Sequence, residues 1–148
     1  RLCDREGVEL IGSVPDVRTF LARAAVVIAP LHVAPGVQNK VLEAMACERV
    51  VVCSPEAAAG IVPTQESQQD VPTPEVEPGL VVAESKQAWS EELVHLLTNV
   101  ESRKRLAAEG LRYVETRYNW SRQMAAMRRL VEPERDVLAF LGARRKVA

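Results

Sequence analysis

The chain has 148 residues, of which 47% are hydrophobic, and is therefore long enough for one domain with an apolar core. Nineteen Lys and Arg residues against twenty Asp and Glu residues give a net charge of −1, which argues against a nucleic-acid-binding protein with a basic stripe. No apolar run reaches the roughly 20 residues of a transmembrane helix, and no signal-peptide pattern opens the sequence, so we expect a cytoplasmic protein.

Apolar runs alternate with helical patterns over the first part of the chain. Four runs predict strands, at residues 8–12, 25–29, 49–54 and 79–84. Between them, helices are predicted in "VPDVRTFLARA", over residues 37–47, and from Pro55 to Gly60. This alternation indicates an α/β fold, with a partial Rossmann-like parallel sheet of about four strands and helices on both faces.

The rest of the chain is predicted to be helical after one irregular segment. Residues 62–78 hold four prolines and three glutamines without periodicity, which indicates a loop or an insert. Ser85 can cap a helix over 86–98 whose inward face carries Trp89, Leu93 and Leu96. Further helices over 101–117 and 121–130 would complete a C-terminal helical cluster spanning residues 85–148.

The cysteines and the polar residues of two loops suggest no catalytic centre. Cys3, Cys47 and Cys53 lack metal-site spacing, and we interpret them as reduced structural thiols. His32 follows the second predicted strand, where a surface histidine and a ligand contact remain alternatives. Ser54 and Glu56 follow the third predicted strand and are weaker candidates for lining a pocket. We expect no metal and identify no catalytic residue.

The helix over 37–47 follows the carboxyl end of a predicted strand, where α/β sheets bind ligands and a helix N-terminus favours phosphate. Helical spacing gives a polar stripe of Gly36, Asn39, Lys40 and Glu43 and an apolar stripe of Val37, Val41, Ala44 and Met45. Gly36 would admit a diphosphate to the backbone, Lys40 would add charge, and Glu43 could accept both ribose hydroxyls. The alternative is a solvated Lys40–Glu43 pair after a loop glycine.

With these residues in this order, the chain resembles the C-terminal half of GT-B-fold retaining glycosyltransferases of the "glycosyl transferases group 1" family. The resemblance covers residues 7–131. It rests on the G-x-V-P-D turn, the strand ending at Pro30, the E-A-M-A helix, the strand to Ser54 and the terminal Y-N-W. The segment "GVQNKVLEAMA" is most similar to sugar transferases of exopolysaccharide systems associated with PEP-CTERM proteins.

The resemblance implies a nucleotide-diphosphate sugar as donor substrate, of unknown base, and no cofactor. The donor-binding candidates are Gly36, Val37, Asn39, Lys40, Glu43 and His32. The second donor-helix glutamate of the family matches Glu43, whereas the first falls at Pro35 and is absent, which puts the contact with the donor sugar in doubt. Residues 1–84 would then be a truncated donor-nucleotide region, and residues 85–148 its C-terminal helices.

The family pattern also includes parts that this sequence lacks, namely an N-terminal acceptor domain and two earlier strands with their Arg and Lys. We therefore expect a fragment that is inactive alone. Its parent would move a sugar to a saccharide or lipid-linked acceptor in polysaccharide biosynthesis, in the cytoplasm or at the inner membrane surface. The open edge of strand 25–29 predicts a homo-oligomer through residues 8–12 or 25–29. The alternative is that strand 8–12 covers this edge within the same chain. The alternative function is a non-catalytic α/β module that binds a partner and no sugar nucleotide.

Overall fold

The computed structural model describes residues 4–62, 76–119 and Met124. In these residues helices and strands alternate before two long helices end the described chain. The elements are α1 (Arg18–Leu21), β1 (Val27–Ala29), α2 (Asn39–Ala46), β2 (Val51–Cys53), α3 (Pro55–Ala59), β3 (Leu80–Val82), α4 (Lys86–Thr98) and α5 (Val100–Arg117). The helix expected over 121–130 and most of the segment 62–78 lie outside the described residues.

The three strands form a parallel sheet with β2 at its centre. Val51 lies opposite Val27 on one side and opposite Leu80 on the other. Every residue of β2 is buried, as expected for a continuous apolar strand covered on both faces. The α/β class and the parallel sheet predicted from the sequence are therefore confirmed.

The strand predicted over residues 8–12 does not form, and a sheet of three strands replaces the expected four. Residues 8–14 have no regular secondary structure, and Val8, Leu10 and Ile11 are exposed. An apolar run becomes a strand only where a neighbouring strand accepts its backbone groups and its side chains pack on a sheet. Within the described part of the chain, β1 pairs only with β2, so this segment has no such partner.

Side-chain caps mark the starts of three of the helices in the described residues, α3, α4 and α5. The Ser85 hydroxyl accepts the Ala88 N–H at 3.1 Å, and α4 begins and ends where the sequence predicts. The first helix is shorter than predicted at both ends and runs only from Arg18 to Leu21, with the Asp16 carboxylate accepting the backbone N–H of Arg18 at 2.9 Å just before it. Helix α2 likewise starts at Asn39, so Gly36 and Val37 precede it.

Helices cover both faces of the sheet with separate apolar clusters. On one face, α2 and α3 pack on Val51 and Cys53, together with Tyr113 of α5. On the other face, Leu96 of α4 packs on Val50 and Val52. Successive β2 residues thus point to opposite clusters, as the twofold side-chain alternation of a strand requires.

Helix α5 closes the β3 side of the sheet through a backbone contact. A Cβ atom placed on Gly79 would lie 2.1 Å from the Gly110 nitrogen, and Gly79 itself has a φ of +61°. From this contact α5 reaches both apolar clusters, with Leu106 in one and Tyr113 in the other. The Tyr113 hydroxyl donates to the Ile61 carbonyl at 2.7 Å, which ties α5 to the end of α3.

Gly79→Ala should therefore be strongly destabilising. We expect a loss of about 2–5 kcal/mol in the free energy of unfolding, combining ~1–2 kcal/mol for a left-handed alanine with ~1–3 kcal/mol for overpacking. Gly12→Ala is the matched control, because Gly12 has a φ of +74° but no atom within 4 Å of an added Cβ. Equal losses in the two variants, measured by chemical denaturation, would contradict the close contact with α5.

The outer side of β1 is an open edge. Val27 donates to Val50 and Ala29 accepts from Ser54, so the intervening Ile28 directs its N–H and C=O away from β2. Its side chain is 53% exposed. Unpaired strand edges of this kind are templates for pairing with another chain.

We expect the isolated chain to form a dimer or larger assembly through this edge, and light scattering at tens of micromolar would measure it. Ile28→Lys should shift the assembly toward monomer, because a lysine on an edge strand opposes pairing. Val94→Lys, at an exposed valine of α4, is the control and should leave the assembly unchanged. A wild-type chain that stays monomeric would show that β1 needs no external partner.

Candidate functional site

The carboxyl ends of all three strands meet at one cavity of about 300 Å³. Its lining residues follow β1, β2 and β3 or come from the first turns of α3 and α4: Pro30, His32, Ser54, Pro55, Glu56, Ala83, Glu84 and Trp89. We call this the carboxyl-edge cavity. It lies where open parallel sheets bind their ligands.

Ser54 shapes the wall of the carboxyl-edge cavity. Its hydroxyl donates to the Leu31 carbonyl at 2.6 Å and accepts the Ala57 N–H at 3.4 Å. The side chain thus caps α3 and at the same time holds the loop after β1 against the end of β2. Because both hydrogen bonds are internal and the residue is buried, Ser54 positions the cavity and is not itself a free ligand group.

The polar groups at the mouth of the cavity suit an uncharged, hydroxylated or heterocyclic ligand. Glu56 and Glu84 are exposed carboxylates, which accept hydrogen bonds from hydroxyl groups and repel a bare anion. His32 is also exposed beside them. Trp89 is half-buried against the α4 cluster and offers a planar apolar surface.

The N-terminal end of helix α2 is a second candidate site, and its features favour an anion. No acidic residue lies in its first turn, and the Gln38 side chain does not cap it. Instead, Gln38 Nε2 donates to the carbonyl oxygens of Pro35 and Gly36 at 3.3 and 3.2 Å, which folds the preceding loop back on itself. The positive end of the α2 dipole therefore has no carboxylate opposing it within its own first turn.

The polar stripe expected on α2 is exposed, and its apolar stripe is buried with one exception. Asn39, Lys40 and Glu43 all face solvent, and Val41, Ala44 and Met45 are fully buried. The prediction that Val37 belongs to the buried apolar stripe is wrong, since this residue is 48% exposed. The reason is that helical periodicity does not apply to a residue that precedes the first helical turn.

The loop before α2 rests directly on the end of α3. A Cβ atom on Gly60 would lie 2.1 Å from the Gly36 carbonyl oxygen, so the two backbones touch. The next residue, Ile61, accepts hydrogen bonds from the hydroxyls of Tyr113 and Tyr118. Gly36 itself has a φ of +71° and open space around its missing Cβ. The carbonyl side of Gly36 therefore packs on the end of α3, whereas the side where a Cβ would project is open to a ligand.

The structure brings only some of the predicted site residues together. His32, Ser54 and Glu56 share the carboxyl-edge cavity, whereas none of the residues of the exposed α2 stripe lines it. Glu84 and Trp89 were not among the predicted site residues. The rule that carboxyl ends of strands carry ligand groups would have found Glu84 if applied to β3. The helical pattern predicts Trp89 as a packing residue, and only the tertiary structure shows that it also lines the cavity.

Burial explains the behaviour of the central cysteine. Cys53 is fully buried, and this burial raises the pKa of its thiol to about 11. The thiol therefore stays protonated at neutral pH, where a nucleophile would need a thiolate. Residues 4–62 and 76–119 contain no group of three His, Cys, Asp or Glu side chains placed to hold a metal ion.

The described residues thus form an α/β domain with a small parallel sheet of three strands and a cavity at the carboxyl ends of those strands. The family model described as "Glycosyl transferases group 1" matches residues 1–99, which include the whole sheet and the carboxyl-edge cavity. The chain therefore belongs to the glycosyl transferases group 1 family, and its fold is compatible with one half of a GT-B glycosyltransferase. No curated protein and no solved structure matches it. Of the helices in the described ranges, none is long and apolar enough to cross a membrane.

Ser54→Ala should destabilise the chain by about 1–2 kcal/mol, because it removes an N-cap together with the hydrogen bond to Leu31. Ser85→Ala is the matched control, since that hydroxyl also caps a helix, with a single hydrogen bond to Ala88. We expect the loss at Ser54 to exceed the loss at Ser85 in thermal or chemical denaturation. The reverse order would show that the tie between β1 and β2 contributes no stability.

Proposed function

We propose that this domain binds the nucleotide-diphosphate sugar donor of a retaining glycosyltransferase. The full enzyme would transfer the sugar to a saccharide or lipid-linked acceptor in the biosynthesis of a polysaccharide, of the exopolysaccharide type that the sequence resembles. The observation that carries the proposal is the exposed and uncapped start of α2, preceded by Gly36, on the loop that leaves β1 toward the carboxyl-edge cavity.

The diphosphate is assigned to the start of α2. Its first backbone N–H groups and the positive end of the helix dipole favour an anion. Gly36 supports this assignment, because the space beside its Cα is open and a phosphate could approach the backbone there. Lys40 is exposed one turn along and would add a full positive charge. Asn39 and Val37 flank the same position.

The ribose is assigned to Glu43, whose exposed carboxylate can accept both hydroxyls of a sugar ring. The base or the transferred sugar is assigned to the carboxyl-edge cavity, where Trp89 offers a stacking surface and His32 a hydrogen-bonding group. Since Pro35 replaces the first donor-helix glutamate of the family, Glu56 and Glu84 are the carboxylates that we assign to hydroxyls of the transferred sugar.

Transfer also needs an acceptor held against the donor in a reactive geometry. The family resemblance assigns acceptor binding to a separate N-terminal domain. We therefore propose that the 148-residue chain binds donor without turning it over, and that the domain becomes catalytic only beside an acceptor domain.

A non-catalytic partner-binding module is the second candidate function. The open edge of β1 favours it, because Ile28 there is 53% exposed and strand edges accept added strands. The two functions differ in one measurable property, which is affinity for a nucleoside diphosphate.

Titration of the chain with UDP and with GDP should distinguish the two functions. We expect one of the two nucleotides to shift the backbone NMR signals of Gly36 and Glu43. Glu43→Ala should weaken that binding about tenfold or more, because hydrogen bonds to a charged group contribute ~1.5–3 kcal/mol and ~1.4 kcal/mol corresponds to tenfold.

Glu115→Ala, at an exposed glutamate of α5, is the control and should leave the affinity unchanged. If neither nucleotide shifts Gly36 or Glu43 at millimolar concentration, the partner-binding function is favoured instead. If a nucleotide binds but Glu43→Ala leaves its affinity unchanged, Glu43 does not contact the nucleotide and is only a solvated residue of α2.

A further inference from the structure

A second cavity lies at the opposite edge of the sheet, before the strands begin. It has a volume of about 440 Å³. Three segments line it: residues 22–25, which lead into β1, residues 48–50, which lead into β2, and the first turns of α5 from Val100 to Ala107. We call this the amino-edge cavity. It shares no lining residue with the carboxyl-edge cavity, and the donor site proposed above does not use it.

The amino-edge cavity concentrates positive charge. Its lining contains four cationic side chains, those of Arg23, Arg49, Arg103 and Lys104, and a single carboxylate, that of Glu48. The chain as a whole has a net charge of −1, so this cluster does not simply reflect a basic protein. The ion pairs Asp16–Arg18 and Arg105–Glu109 lie outside the lining of the cavity and do not neutralise the cluster.

One arginine of the cavity is held in place by hydrogen bonds, and a second has a buried donor. Arg103 Nη1 donates to the carbonyl oxygens of Leu96 and Leu97 at 2.6 and 3.0 Å, so the last turn of α4 fixes its guanidinium. Arg49 is half-buried, and its Nε is a buried donor with no hydrogen-bond partner in the described part of the chain. A buried donor without a partner is uncommon in folded proteins and calls for an acceptor.

The backbone that carries Arg49 has a conformation unusual for its sequence. Helix α2 ends in a Schellman motif, in which Glu48 N–H donates to the Met45 carbonyl and Arg49 N–H donates to the Ala44 carbonyl. The left-handed position of this motif is usually a glycine, whereas here it is Glu48, with a φ of +55°. The chain thus keeps a charged side chain at a position where glycine would be less strained, and that side chain lines the cavity.

We propose that the amino-edge cavity binds a phosphate group of a small phosphorylated molecule or of a lipid headgroup. Guanidinium groups bind phosphate oxygens through paired, charge-assisted hydrogen bonds, and lysine adds a compact charge. A volume of about 440 Å³ leaves room for a phosphate that is attached to a larger body. The site is independent of the donor proposal.

Titration of the full chain with inorganic pyrophosphate, followed by backbone NMR, is the first arm of the test. Flotation with phosphatidylcholine vesicles, with and without phosphatidic acid, is the second arm and distinguishes a lipid source from a free one. Since pyrophosphate could also reach α2, the diagnostic signals are the amides of Arg49, Val50 and Lys104, and not that of Gly36.

A pair of charge reversals on α5 provides the matched comparison. Lys104→Glu changes an exposed residue of the cavity, and Arg112→Glu changes an exposed residue of the same helix outside it. We expect Lys104→Glu to weaken binding about tenfold or more and Arg112→Glu to leave it nearly unchanged. Glu48→Gln should strengthen binding several-fold, because it removes the one carboxylate of the cavity without touching a cation.

Saturable pyrophosphate binding with this order of variants supports the proposal with a soluble ligand. Binding only to vesicles that contain phosphatidic acid, with the same order, supports it with a lipid headgroup. Equal losses in Lys104→Glu and Arg112→Glu would show only general attraction to positive charge and would overturn the proposal. An absence of binding in both arms would overturn it as well.

Discussion

The backbone contact between Gly79 and α5 determines how the rest of the domain is arranged. It places an 18-residue helix across the β3 side of the sheet, where the helix enters the apolar clusters of both faces. Near its C-terminal end, Tyr113 holds Ile61 and thereby the turn on which the Gly36 loop rests. Near its N-terminal end, the same helix supplies Arg103 and Lys104 to the amino-edge cavity. One helix therefore supports both ends of the sheet.

The charged side chains of the two cavities are mainly of opposite sign, and the parallel sheet explains how the two charges are kept apart. All three strands run in the same direction, so the turns before them gather at one edge and the turns after them at the other. The turns before the strands carry Arg23 and Arg49, whereas those after them carry Glu56 and Glu84. A chain with almost no net charge can in this way present a cationic and an acidic surface on opposite ends of one small domain.

Local features were predictable from the sequence, and features that depend on distant partners were not. The bounds of α4 follow from Ser85 and its own helical pattern, and β2 follows from a continuous apolar run. The strand expected over 8–12 does not form, because a strand needs a neighbouring strand for its backbone hydrogen bonds. A local apolar pattern cannot show whether such a neighbour is present. The amino-edge cavity was not foreseen, because Arg23, Arg49 and Lys104 lie far apart in the sequence. The exposure of Lys40 and Glu43 follows from the helical spacing of the α2 stripe and was predictable from the sequence.

Pro30 limits how far the open edge of the sheet can be extended. The Leu31 N–H donates to the Ala29 carbonyl, which makes a three-residue turn centred on Pro30. Along the outer side of β1, the residue after Ile28 that would face an added strand is this proline, and it has no N–H to donate. An added strand can therefore form a ladder at Ile28 but finds no N–H donor at the next outward-facing position toward the C-terminal end of β1. Pro30 therefore fixes, by covalent structure, where any ladder on the outer side of β1 ends at the C-terminal end of the strand.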